Sequence, residues 1–296
     1  MAYQFKTTES LGKGTRRIVR NRLKIILEQA AKPSLDPDAI HGIRKEIKKL
    51  RSLIRFARPS LGRKQTLRLR DQLRKAASLT GAIRDAEVQL HTVEEIFGIG
   101  TKPGTKPKSK FLDTYRKELE EEKRLFDARK TAANLTSQFD RMLRETGDWR
   151  FEFKNWNPVE KSIQKSYEKA RELYQSFRKS LSPADLHAWR KSIKVLVHHL
   201  ALVSGCWNSE LKAGSAELET LEEMLGKQND LELMLRKIAP QKNKSLVEKS
   251  TNKIRLRTET LRKTSLQMGR KIFSRSPADF CFPIEGSWER WRNAKA

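Results

Sequence analysis

Apolar residues recur three and four positions apart along most of the chain, and no stretch alternates as a half-buried strand does. The period predicts an all-α protein. Asp36-Pro37-Asp38, Asn157-Pro158 with Glu160, and Ser182-Pro183 with Asp185 each set a capping side chain ahead of a first-turn proline and an early acid. "RPSLG" (58–62) reads as a helix end, "GIGTKPGTKPKSK" (98–110) as a linker, and "FKNWNPVE" (153–160) as a boundary near the midpoint. Between these marks the pattern predicts about eight long helices, roughly 9–31, 36–58, 63–97, 109–146, 158–180, 183–206, 210–238 and 243–274. The tail, "SPADFCFPIEGSWERWRN", has aromatics enough to dock on a bundle but no clear helix of its own.

The predicted helices repeat. "LDPDAIHGIRKEIKKLRSLI" (35–54) matches "LSPADLHAWRKSIKVLVHHL" (181–200) without a gap at an offset of 146. "LTGAIRDAEVQL" (79–90) resembles "EMLGKQNDLELML" (223–235), shifted by one position. Two marks in one order at nearly one separation read as a duplicated four-helix unit, residues 1–152 and 153–296.

Charge changes the picture more than size does. The 296 residues carry a formal net charge of +27. Residues 1–150 hold 35 basic and 19 acidic residues, and the remainder 28 and 17, so the excess is not a basic tail on a neutral body. Such a charge raises affinity for polyanions: polyphosphate, nucleic acid or an acidic surface. The two cysteines, Cys206 and Cys281, form no CxxC, so neither a zinc site nor a disulfide framework is supported. The most apolar run, "VLVHHLALVSGCW" (195–207), is too short to span a bilayer, and the start lacks a signal-peptide core. The expectation is a cytoplasmic protein with no membrane role.

On a helical wheel His41, Arg44, Lys45, Lys48, Arg51, Ser52 and Arg55 share one arc, beside an apolar arc of Ile40, Ile43, Ile47, Leu50, Ile54 and Ala57. In the second copy His187, Arg190, Lys191, Lys194 and His198 take the polar arc, and Leu186, Trp189, Ile193, Leu196 and Leu200 the apolar one. A solvated helix also has a polar face. This one differs in being nearly free of acids, with Glu46 off the arc, and in recurring with its histidine. His41 to Arg55 is about 21 Å of helix, a length suited to a linear polyanion.

Arg16, Arg17, Arg20 and Lys24 on the first helix, and Lys161, Lys165 and Lys169 on the fifth, are further candidates for groove walls. The third helix is basic (Arg68, Arg70, Arg74, Lys75) where its counterpart is acidic (Glu217, Glu219, Glu222, Glu223), which places those positions outside a shared site. Asp85 and Asp230, beside Arg84 and Asn229, read as residues that orient an arginine or cap a turn. Gly81 and Gly226 read as points of close helix packing. With no HxxxH or HExxH spacing and no Walker-type loop, no metal, cofactor or catalytic residue is assigned.

"IHGIRKEIKKLRSLIRF" and "LHAWRKSIKVL", with "LTGAIRDAEV" and "LGKQNDLEL", resemble the signature elements of the CHAD family, the conserved histidine α-helical domain, over essentially the whole chain. The resemblance implies two four-helix bundles related by a pseudo-twofold, with a basic pore or groove between them that binds inorganic polyphosphate. It implies that role for His41, Arg44, Lys48, Lys49, Arg51, His187, Arg190 and Lys194. Val195 and Val197 depart from the family's basic pattern, which implies a weaker grip in the second copy unless His198 compensates. Lys45, Arg55 and Lys191 come from the wheel, and Arg16, Arg20, Arg84, Lys161 and Lys165 complete the candidates. The expected function is therefore non-catalytic polyphosphate binding, with possible residence at polyphosphate granules. The rivals are a helical nucleic-acid binder and a phosphohistidine or metal-dependent polyphosphate enzyme.

Overall fold

The structure is a computed structural model that describes residues 3–32, 35–97, 110–128, 131–153, 155–238 and 244–294. Among the described residues it is all-helical, with twelve α-helices and no strand. In the first half these are α1 Leu11–Ala30, α2 Pro37–Phe56, α3 Arg58–Leu61, α4 Arg63–Leu79, α5 Gly81–Phe97, α6 Lys110–Ala128 and α7 Thr131–Glu145. In the second they are α8 Asn157–Ser180, α9 Pro183–Val203, α10 Ser209–Ile238, α11 Lys244–Ile272 and α12 Pro277–Asn293.

The helices begin where side chains can satisfy their free amides. Asp36 accepts from the Ala39 amide at 2.6 Å and Ser182 from the Asp185 amide at 3.1 Å, each with proline in the first turn. Asn157 does not cap as expected. It is already helical, and Trp156 ahead of it makes no side-chain cap.

Two predicted helices are divided. The span 63–97 breaks at Thr80, whose non-helical backbone separates α4 from α5. The span 109–146 forms α6 and α7 on either side of residues 129–130, which lie outside the described residues, as does most of the 98–110 linker. The tail, expected to lack a helix, forms α12. Ser276 accepts from the Asp279 amide at 3.1 Å with Pro277 following, the same "SPAD" signal that starts α9.

One apolar core runs through both halves, drawing on α1, α2, α4, α7, α8, α9, α10 and α12. Every residue of the apolar arcs assigned to α2 and α9 lies within it or a smaller adjoining cluster, at most 3% exposed. Burying each large aliphatic side chain contributes about 2 kcal/mol, which fixes the roll of the two helices and leaves their basic arcs outward. The midpoint is packed as well. Trp149 and Phe151 are buried, and Trp156 stacks on Trp288 of α12 with ring centroids 5.0 Å apart.

Within this frame α1 packs on α2, α8 on α9, and α9 on α10. The two halves meet where α2 packs on α9 and α5 on α10. No helix of the described residues is long and apolar enough to cross a membrane.

Candidate functional site

The meeting of α2 and α9 brings together residues that lie 146 positions apart in the repeat. The His198 ring shares a 3.0 Å hydrogen bond between its Nδ1 and the hydroxyl of Ser52. One turn back, Lys48 faces its counterpart Lys194, and the charges of Arg44, Arg190 and Arg84 reach it as well. Lys48 keeps solvent contact, yet packed protein around its ammonium, followed by repulsion from these four cations, pushes it down to about 8. His41 sits at the edge of the same cluster. Burial, then Arg84, Lys48 and Lys45, hold it below the usual histidine range. Cations from α2, α5 and α9 are thus concentrated in one place.

Neighbouring helices hold these side chains in position. Arg44 donates through Nη1 to the Ala77 carbonyl at 2.9 Å and to the Thr80 hydroxyl at 3.3 Å, at the break between α4 and α5. Its counterpart Arg190 lies against Gly226 of α10, where an added Cβ would stand 3.7 Å from Nε. In both arginines Nε is buried with no protein acceptor among the described residues. His187 donates through Nδ1 to Asn229 Oδ1 at 2.9 Å, and Asn229 Nδ2 donates in turn to Asp230 at 3.3 Å. In the first half the matching residue is Arg84, which pairs with the buried Glu87 at 3.1 Å and repels a charge on His41. One histidine is thus held by an amide, and its counterpart sits beside a cation.

Sequence reasoning missed several participants. Glu222, set outside the site with its acidic neighbours, pairs with Lys194 at 2.5 Å. Thr80 accepts from Arg44, and Gly226 leaves room for the Arg190 guanidinium against α10. Gly226, expected as a point of close helix packing, faces a guanidinium. Gly81 has open space where a Cβ would be. The repeat "LTG…/…MLG" was the available signal for this shelf.

Other named residues lie elsewhere. Lys49 is turned away from Lys48: its ammonium pairs with the buried Glu46 at 2.9 Å and lies 5.7 Å from the Tyr3 ring centroid. Glu46 also binds Arg22 of α1 at 3.0 Å, and its pairing with Lys49 takes up a cation named for the site. Arg16 and Arg20 donate to the Trp149 carbonyl (2.7 Å) and the Thr146 hydroxyl (3.1 Å), tying α1 to the end of α7. Lys45 and Lys191 are exposed on the rims of their helices. Asp85 is exposed and attracts Arg44.

Arg51 and Arg55 belong to a second group. Around each, packing and then the charge of Arg70 work against the cation, with Arg74 adding to Arg51. The third-helix cations Arg70 and Arg74, set aside on sequence grounds, therefore stand beside the α2 arc. Arg55 and Arg70 line a cleft of about 620 Å³ with Lys161 and Lys165 of α8.

His198 and His199 point apart, as adjacent helical residues must. His199 is buried with its Nε2–H donating to the Ser52 carbonyl and its Nδ1 accepting from the Ser166 hydroxyl, both at 3.1 Å. Burial pushes it down to about 4 and His198 to about 3, so both rings are neutral at physiological pH. Among the described residues no group of three or more His, Cys, Asp or Glu could hold a metal ion.

Residues 17–239 match the family described as the CHAD domain. No curated protein matches. Among solved structures, the crystal structure of the CHAD domain from the plant Ricinus communis is similar, with a TM-score of 0.66 at 18% identity, covering 93% of this chain and 96% of that one. At that identity the likeness speaks for the fold.

Proposed function

Because the chain belongs to the CHAD family, we propose that it binds inorganic polyphosphate without transforming it, at the cations gathered between α2, α5, α9 and α10. CHAD domains as a family bind polyphosphate. The observation that carries the reading is the convergence of equivalent cations: Lys48 with Lys194, and Arg44 and Arg190 beside them. Four like charges brought together cost self-repulsion, and a multivalent anion relieves it. The two bare Nε donors, with the His41 and His187 rings, supply directional hydrogen bonds to phosphate oxygens.

We read the two halves as four-helix units related by a pseudo-twofold. In the first, α4 with α5 and α6 with α7 correspond to the unbroken α10 and α11 of the second. The Ser52–His198 and Lys48–Lys194 approaches support this, since a twofold brings equivalent positions together at the axis. The chemistry favours a binder over an enzyme. Phosphoryl transfer draws on carboxylate-held metal, whereas Glu87 and Glu222 beside this cluster are taken up by Arg84 and Lys194. The cellular role would be in the cytoplasm, at polyphosphate granules.

The test is a competition titration at fixed, near-physiological salt between long-chain polyphosphate and duplex DNA. The proteins are wild type and His41→Ala/Arg44→Ala/Arg190→Ala, with the fold checked by circular dichroism. The proposal expects polyphosphate to win and the folded variant to lose that preference. Equal competition with no effect of the variant would leave only the +27 charge, and a helical nucleic-acid binder, as the explanation.

A further inference from the structure

Beyond the central cluster, α2 ends in a cleft that the family's signature residues do not describe. Arg55, Arg58, Arg63 and Arg70 line one wall, and Lys161 and Lys165 of α8 the other. None of the residues lining the cleft is acidic. None of these six cations forms an ion pair with a described residue, whereas Lys194 in the central cluster is tied to Glu222. Lys169, further along α8, pairs with Glu172 at 2.8 Å. The floor is polar and already satisfied: Ser162 donates to a backbone carbonyl at 2.8–2.9 Å, and Ser166 and His199 bond to each other.

The cleft follows the central cluster along α2, and its cations stand on one side only. Exposed Arg51 stands on α2 between Lys48 and Arg55, and the whole step is about 10 Å of helix. Positions matching Arg51 and Arg55 on α9 are Val197 and Ala201, and α10 carries Glu217, Glu219, Glu222 and Glu223. A polyanion leaving the centre toward α10 meets acids and apolar surface. Toward α4 and α8 it meets six unpaired cations.

We propose that a polyphosphate chain held at the central cluster leaves it on the α4–α8 side only, passing Arg51 into this cleft, so that the cleft sets the preference for long chains over short ones. The inference rests on the proposed function and goes further by giving the bound chain one exit and a length dependence. Each cation that contacts a phosphate releases counterions, so the cleft adds to both affinity and salt dependence once the ligand is long enough to reach it.

The experiment compares tripolyphosphate with long-chain polyphosphate by titration at two salt concentrations. The proteins are wild type, Arg70→Glu/Lys165→Glu, the milder Arg70→Gln/Lys165→Gln should charge reversal impair folding, and Lys179→Glu/Lys263→Glu as a charge-matched control outside the cleft. All four substituted side chains are exposed. The cleft variant is expected to bind long chains at least about tenfold more weakly, with a shallower salt slope, and to hold tripolyphosphate within about twofold of wild type. The control is expected to leave the long-to-short ratio unchanged. Unchanged long-chain affinity in the cleft variant, an equal loss for both ligands, or an equal loss in the control would overturn the inference while leaving the central site intact. A wild type that binds neither ligand would overturn the proposed function itself.

Discussion

Ser52 holds two consecutive histidines of another helix: its hydroxyl meets His198 Nδ1 at 3.0 Å, and its carbonyl accepts from His199 Nε2 at 3.1 Å. Ser52 and His198 are equivalent positions in the internal repeat. A slip of α9 along α2 by one residue would break both bonds and leave the buried His199 ring N–H without its acceptor. The pair therefore sets the register in which Lys48 and Lys194 face each other.

His199 makes the fold acid-sensitive. Its folded pKa of about 4 lies below the ordinary histidine value, so the unfolded chain binds the extra proton first. Stability is complete above about pH 6.5 and is lost as pH falls from there toward 4, by about 3 kcal/mol for this ring alone. Urea unfolding of wild type and His199→Gln at pH 7 and pH 5 checks it. The variant should be less stable at pH 7 and show a flatter decline, and parallel declines would contradict the assignment.

On the proposed function, Lys48 should make polyphosphate binding pH-dependent in the opposite range. In the free protein it titrates near 8, and a bound polyanion favours its charged form and raises that value. Its contribution is fully present below about pH 8 and fades as pH rises through it. Titrations at pH 7 and 9 should show affinity falling several-fold in wild type and markedly less in Lys48→Met. Identical pH profiles for the two proteins would remove Lys48 from the site.

Glu222 opposes the proposed function, since it neutralises Lys194 within the cluster. Glu222→Gln keeps the shape and frees the ammonium. Affinity for polyphosphate should rise about threefold at moderate salt, and the salt slope should steepen. A folded variant that binds no better would show that Lys194 does not reach the ligand.

Adjacent cations on α2 should separate cleanly. Lys49→Ala removes a partner of buried Glu46 and a cation over Tyr3, and should cost about 1–2 kcal/mol of stability with affinity within twofold. Arg44→Ala should lower affinity about tenfold or more. Calorimetric titration and denaturant unfolding on both variants decide it, and a binding loss for Lys49→Ala equal to that of Arg44→Ala would put Lys49 back at the ligand.

Much of the helical architecture is written locally. Asp36 and Ser182 announce α2 and α9 by their side chains, and the three–four spacing of Ile43, Ile47 and Leu50 fixes which face is buried. The break at Thr80 was not readable, because Arg44 comes from another helix to occupy that carbonyl end. The tail, read as having aromatics to dock but no clear helix, forms α12 with Pro283 inside it, and Ser276-Pro277 with Asp279 is the start signal its sequence carries. For the site, spacing places Arg44 with Lys48 and Arg190 with Lys194, each pair on its own helix. What joins the pairs, diverts Lys49 to Glu46 and sets Arg70 beside Arg55 is tertiary packing, and a wheel drawn for one helix contains none of it.

The segment 3–9 and α12 lie outside the residues that match the family, yet they fasten to one another. Phe5 donates its amide to the Leu202 carbonyl at 2.8 Å and sets its ring edge-on to Trp288, while Arg292 donates to the carbonyls of Thr7 and Glu9, both at 2.8 Å. Phe5, Cys281, Ile284 and Trp288 are all nearly fully buried there. A fragment trimmed to residues 17–239 would strip both sides of this clasp at once, and α11 with them, and uncover the apolar surface of α9 beneath the clasp. Such a surface self-associates, so a trimmed protein that precipitates or forms oligomers would be reporting these missing elements and not the behaviour of the central cation cluster.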